Sequence, residues 1–129
     1  LPAAPDRRVQ LGHGSGGRLA ARLLAEHFLP YFGNSALNRL GDAAVLGVER
    51  GELAMSTDTF VVSPVEFPGG NIGSLAVHGT LNDLAMMGAR PAFLSTAFDL
   101  EEGLDLALLD RVEVQHQREG RERQARCGR

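Results

Sequence analysis

The stretch Phe67-Pro68-Gly69-Gly70-Asn71-Ile72-Gly73, running on to Gly79-Thr80-Leu81-Asn82-Asp83, constrains this chain more than any other. Glycines at 69 and 70 can take backbone conformations closed to other residues and let a ligand approach the main chain. Asn71 is a strong N-cap, so a helix is expected over about Ile72 to Met87, with unpaired N–H groups and a positive dipole end at its start. Such an end suits a phosphate. Asp83 lies about three turns along that helix, too far to cap it. Its small neighbours suggest a buried carboxylate held to a metal ion. Gly88-Ala89-Arg90-Pro91 closes the helix.

The rest of the chain alternates between element types. The turn-rich entry Leu11-Gly12-His13-Gly14-Ser15-Gly16-Gly17 opens a helix of about Arg18 to Phe32, with Leu19, Leu23, Leu24 and Phe28 on one apolar face and Gly33-Asn34 at its end. Ala43 to Val48 reads as a strand, Arg50-Gly51 as a turn, and Leu53 to Val62 as a longer strand closed by Pro64. Phe93 to Phe98 is a third strand, and a third helix starts over Leu104 to Val112. The simplest architecture is α+β: a mainly antiparallel sheet with helices on one face. Met86 and Met87 are expected in its core.

A chain of 129 residues supports one domain. No apolar run approaches the roughly 20 residues of a membrane span, so no membrane partner is expected. The opening residues carry no apolar signal-peptide core, and the single Cys127 offers no internal disulfide. A cytoplasmic location is the expectation. All thirteen basic residues are arginine, which excludes a lysine phosphate clamp or Schiff base in this chain. Residues 1–112 hold eight arginines against thirteen acids, a net of −5, and residues 113–129 hold five arginines against three glutamates, a net of +2. The acidic body argues against a nucleic-acid face.

The chain changes character near Val112. Residues 1–112 read as the domain and 113–129 as a polar, arginine-rich tail. Two explanations of the tail stand side by side: a solvated, frayed end, or a natural continuation replaced through frameshift or truncation. Leu1 in place of methionine fits a fragment or an alternative start codon.

Three acids stand on separate elements beside small residues: Asp42, Asp58 and Asp83. Magnesium wants hard oxygen ligands and takes one or two carboxylates together with phosphates, so such acids can share Mg·ATP. The bland alternatives are a turn residue, a strand-edge acid and a helix-face charge, and spacing does not show that the three converge. His13, Gly14, Gly16 and Gly17 form a second phosphate candidate, because glycines expose N–H groups ahead of a helix. That loop matches neither the P-loop nor the dinucleotide fingerprint. His13 suits acid–base work near neutral pH or has no task at all. His78 is expected to pack or face water, and His27 and His116 have no constellation around them.

HGSGG at 13–17, DAAVL at 42–46, STDTFVVSP at 56–64, FPGGNIGSLAVHGTLNDLAMMGARP at 67–91 and FDLEEG at 98–103 occur in that order. Together they resemble the N-terminal domain of the HypE family of nickel–iron hydrogenase maturation proteins, over roughly residues 9–112. That family belongs to the ATP-binding superfamily of aminoimidazole ribonucleotide (AIR) synthetase, selenophosphate synthetase and thiamine monophosphate kinase. The acids and the Asn82-Asp83 pair resemble the whole superfamily, whereas HGSGG with FPGGNIG is much more specific to HypE.

The resemblance implies an AIR synthetase-like fold whose sheet pairs with that of a second copy into a barrel, giving a homodimer. It also implies ATP-dependent dehydration of a thiocarboxamide on a C-terminal cysteine to a thiocyanate, the source of the hydrogenase cyanide ligand. Phosphorylating the amide oxygen lets it leave as phosphate, and deprotonating nitrogen completes the nitrile. By the same resemblance, Asp42, Asp58 and Asp83 are Mg2+ positions. ATP contacts extend to Asn82, Gly69, Gly70 and Asn71 as well as His13, Gly14, Gly16 and Gly17. The implied partners are the carbamoyltransferase HypF and the HypC–HypD complex. A Gly-Asp-Thr-Lys motif, a C-terminal domain and a terminal Pro-Arg-Ile-Cys, usual in the family, are not in this sequence, and the neighbours of Cys127 do not match that terminus. An incomplete N-terminal fragment, inactive alone, is therefore expected. The alternatives are a non-catalytic dimerisation module and a sibling enzyme resembling selenophosphate synthetase.

Overall fold

A computed structural model describes residues 7–48 and 51–127, the last three by backbone alone. Arg50 of the expected turn, Leu1 and the final two residues lie outside that range. The chain forms two compact units, Leu1–Leu46 with Ala97–Arg111 and Gly47–Thr96 with Val112–Arg129.

In the first unit a 3₁₀ turn over Leu11–Ser15 precedes helix α1 (Arg18–Leu23), which passes through a π-helical turn over Leu24–Phe28 into α2 (Leu29–Phe32). The helix expected over Arg18 to Phe32 is thus present with one wide turn inside it. Pro30 supplies the reason, because its ring removes a donor and crowds the carbonyl four residues earlier, and a π turn relieves that crowding. Val9, Leu23, Leu106 and Leu109 are buried together, with Phe28, Phe98, Leu100 and Leu104 packed against them. Phe98 meets Phe28 edge-on at 5.2 Å between ring centroids. Residues 7–9 run antiparallel to 103–106: Val9 N–H donates to the Leu104 carbonyl at 2.8 Å and Gly103 N–H to the Val9 carbonyl at 2.7 Å.

The second unit is built on a hairpin and a helix. Strands β1 (Glu66–Phe67) and β2 (Gly70–Asn71) pair antiparallel, Glu66 opposite Asn71. Pro68-Gly69 turns between them with Gly69 at φ 95°, the order that a turn needing positive φ at its second central residue demands. Helix α3 (Ile72–Met86) starts at Asn71 as expected. Its Gly73, Ser74 and Val77 are buried on one face. Gly73 is required there, since a Cβ would collide with the Val112 carbonyl and stand 3.1 Å from His116 Cβ.

Three expectations are corrected. Among the described residues the only sheet is this two-residue hairpin, and Ala43–Val48, Leu53–Val62 and Phe93–Phe98 form no strands. The architecture is helices plus a small antiparallel sheet, rather than a mainly antiparallel one. The composition of these segments suits strands, but a strand exists only where a neighbour completes its ladder. Here Val45, Leu53, Met55 and Val61 are each more than three-quarters exposed. Met86 and Met87 are 78% and 79% exposed, not core, because their positions fall off the face that carries Ser74 and Val77.

Helix α4 runs from Leu106 to Cys127, so the segment expected to fray after residue 112 is helical through 127. Leu106, Leu109, Val112, Glu113 and His116 are all buried at spacings of three and four. A hydropathy scan reads Glu113 and His116 as solvent-facing, which hides the stripe. The exposed side is rich in helix formers and carries an i,i+4 ion pair, Arg118 to Glu122 at 4.0 Å.

Candidate functional site

Asn71 shows what the glycine loop does. Its Oδ1 accepts from Gly73 N–H at 2.9 Å and Ser74 N–H at 3.2 Å, and Ser74 Oγ accepts from Asn71 N–H at 3.0 Å. Ile72 N–H donates to the Val65 carbonyl at 3.0 Å. The first N–H groups of α3 are therefore spent within the protein, and Asn71 and Ser74 are buried. These contacts form a capping box at the helix start, where the sequence led us to expect a phosphate seat. Gly70 serves the same packing, since a Cβ there would strike Ser74 Oγ. Gly69 remains exposed at the turn.

Asp83 is exposed on α3, not buried as its neighbours suggested. Its Oδ2 accepts from Ser56 Oγ at 3.2 Å, which ties the segment carrying Asp58 to the helix carrying Asn82 and Asp83. Asp58 is exposed as well, and its Oδ1 accepts from Thr59 N–H at 2.9 Å. Phe60 fixes the same segment by lying against Gly79, where a Cβ would meet ring atoms at 2.6 Å. Asn82 lines a cleft of about 430 Å³ with His78, Leu81, Pro91 and Arg123.

Asp42 is exposed in the other unit. Among the described residues none of the three acids is in an ion pair, and no group of three His, Cys, Asp or Glu side chains is placed to hold a metal ion. The donors nonetheless suit a hard cation that fills most of its shell with phosphate oxygens and water.

The HGSGG segment forms the 3₁₀ turn and the start of α1. His13 Nδ1 accepts from Gln10 N–H at 2.8 Å, Gly16 takes φ 74°, and Gly17 is the N-cap of α1. Gly14 is exposed, with open space where a Cβ would stand. His13 lines a second cleft, of about 460 Å³, with Arg7, Arg22, Glu26, His27 and Asp105. In that unit His27 Nδ1 sits 2.8 Å from Asp110 Oδ1. No local signal pairs residues 83 positions apart, so the sequence left His27 without a partner. His116 is buried on α4, its Nε2 is 3.1 Å from Thr96 Oγ1, and burial holds its pKa below the ordinary histidine value.

The family model for the N-terminal domain of AIR synthase related proteins matches residues 40–124 of this chain. The chain belongs to the AIR synthase related protein family. Within this family it is 54% identical over 99 residues to carbamoyl dehydratase HypE of Bradyrhizobium diazoefficiens, an overlap of 77% of this chain and 29% of that one. It is 46% identical over 109 residues to carbamoyl dehydratase HypE of Escherichia coli, an overlap of 81% and 32%. A crystal structure of hydrogenase maturation protein HypE in complex with ATP superposes with a TM-score of 0.85 at 52% identity, covering 89% of this chain and 34% of that one. The resemblance to HypE carried by HGSGG and FPGGNIG is borne out. The chain spans about a third of the length of the AIR synthase relatives it matches.

Proposed function

We propose that this chain supplies the N-terminal, nucleotide-binding part of a carbamoyl dehydratase that makes the cyanide ligand for nickel–iron hydrogenase, and that it works in the cytoplasm as a homodimer. The observation that carries this reading is the likeness over 89% of the chain to a HypE solved with ATP. Asp83 and Asp58, on elements tied by the Ser56 contact, would hold Mg2+ with phosphate oxygens, and by the family resemblance Asp42 is a further Mg2+ candidate. Asn82 beside them would orient the nucleotide, while Gly14, Gly16 and Gly17 offer main-chain N–H groups. Bound Mg·ATP supplies the phosphoryl group that turns the amide oxygen into a leaving group. The chain's residues would hold the metal and orient the phosphates, and the metal would neutralise phosphate charge.

The unpaired segments around Val45, Leu53, Met55 and Val61 support a second copy, because pairing would cover apolar chain that one copy leaves in water. HypF and the HypC–HypD complex are the partners this reading implies. Calorimetry with Mg·ATP alongside light scattering tests it. A dimer that binds nucleotide only with Mg2+ is the expected result. A dimer with no nucleotide binding would instead make the chain a non-catalytic dimerisation module.

A further inference from the structure

Within the second unit, His78 of α3 stands between two residues of α4. Its Nε2 is 3.2 Å from Glu119 Oε2, and its Nδ1 is 2.7 Å from Arg123 Nη2. Arg123 has only protons to give, so Nδ1 must be the acceptor. The proton of a neutral His78 then sits on Nε2 and is donated to Glu119. One tautomer satisfies both neighbours. Glu119 is itself held, by Gln115 Nε2 at 2.8 Å and Arg118 Nη2 at 3.6 Å, and Arg118 reaches Glu122 at 4.0 Å. His78 and Arg123 also line the cleft that Asn82 lines.

We propose that His78 is a pH-sensitive latch that holds Arg123, and with it the end of α4, against the Asn82 cleft that both residues line. Protonation puts hydrogen on Nδ1, facing the Arg123 guanidinium, and turns a hydrogen bond into a contact between two cations. The Glu119 leg survives as an ion pair, so acid does not detach α4 at residue 119. It releases the helix beyond it and swings Arg123 away from the cleft. The charged groups around the ring are Glu119, Arg123, Arg118 and Glu122, and only the Arg123 contact changes sign when His78 gains a proton. Gln124, next along the helix, donates to the Ala92 carbonyl at 3.2 Å and is a further tether of this end. The latch stands whether or not the cleft takes nucleotide.

Nitrogen-15 spectra of the full chain test the idea directly. At pH 8 the His78 ring should show the Nε2–H tautomer. Between pH 8 and 5.5, corrected for intrinsic pH dependence and for any change shared with residues 115–119, amide exchange at residues 123–126 should quicken about fivefold, the scale of one lost hydrogen bond. In His78→Gln, and separately in Arg123→Gln, that step should vanish. An Nδ1–H tautomer at pH 8, or the same step in a variant that keeps its helical circular dichroism, would overturn the latch. Should one variant fail to fold, the tautomer in the unaltered chain still decides the matter.

Discussion

Phe60 lies against Gly79, so close that a Cβ on the glycine would sit 2.6 Å from two ring carbons. This contact seats the segment bearing Asp58 on the helix that carries Asn82 and Asp83. Gly79→Ala should force the ring away and cost about 1–3 kcal/mol, the scale of overpacking. Urea denaturation measures the loss, and a more stable variant, as expected for alanine in an open helix, would contradict the contact.

Asn71 closes the capping box of α3 and is buried. Asn71→Ala should therefore cost about 1–2 kcal/mol, the upper part of the range for a lost cap. Asn71→Asp keeps the acceptor and should lose much less. The urea midpoints of the two variants separate capping from nucleotide binding as the role of this residue.

His116 sets a pH dependence. Burial lowers its folded pKa, so as pH falls through the ordinary value of 6.5 the unfolded chain takes the proton first. The folded state is fully favoured above that value and loses stability below it, until pH passes the lowered folded pKa. The urea midpoint should fall between pH 7.5 and 5.5, and His116→Gln should flatten part of that fall while retaining a partner for Thr96.

Asp83 is exposed, and its Oδ2 accepts from Ser56 at the surface, so Asp83→Asn should leave stability within about 0.5 kcal/mol. On the proposed function it should weaken Mg·ATP binding by about tenfold or more, the scale of one contact to a charged group. Calorimetry with and without Mg2+ checks both the loss and its dependence on the metal.

Val61 is 92% exposed in a segment that pairs with no strand among the described residues. Val61→Lys should leave the single chain folded and convert a dimer to a monomer in light scattering. A dimer unaffected by this change would place the interface elsewhere.

The helices were legible because their signals are local: Asn71 as a cap, the apolar face through Leu23 and Phe28, and Gly88 at a stop. The three missing strands were illegible for the opposite reason. Val45 or Val61 can suit a strand, but pairing depends on a second segment that no local window contains. Helix α4 was misjudged beyond Val112 because its buried stripe passes through Glu113 and His116, which polarity alone assigns to water.

The same division holds at the candidate site. The order of HGSGG, STDTFVVSP and FPGGNIG by itself determined the family, since motif wording survives without coordinates. It also determined where α3 begins, because capping is chemistry between residues three apart. Only the tertiary structure decided that Asp83 is exposed beside Ser56, and that His27 meets Asp110 and His78 meets Arg123. Those contacts join residues 27 to 83 positions apart, or turn on which surfaces packing leaves open. Distances of that kind are set by how the chain closes on itself, and no spacing along the sequence contains them.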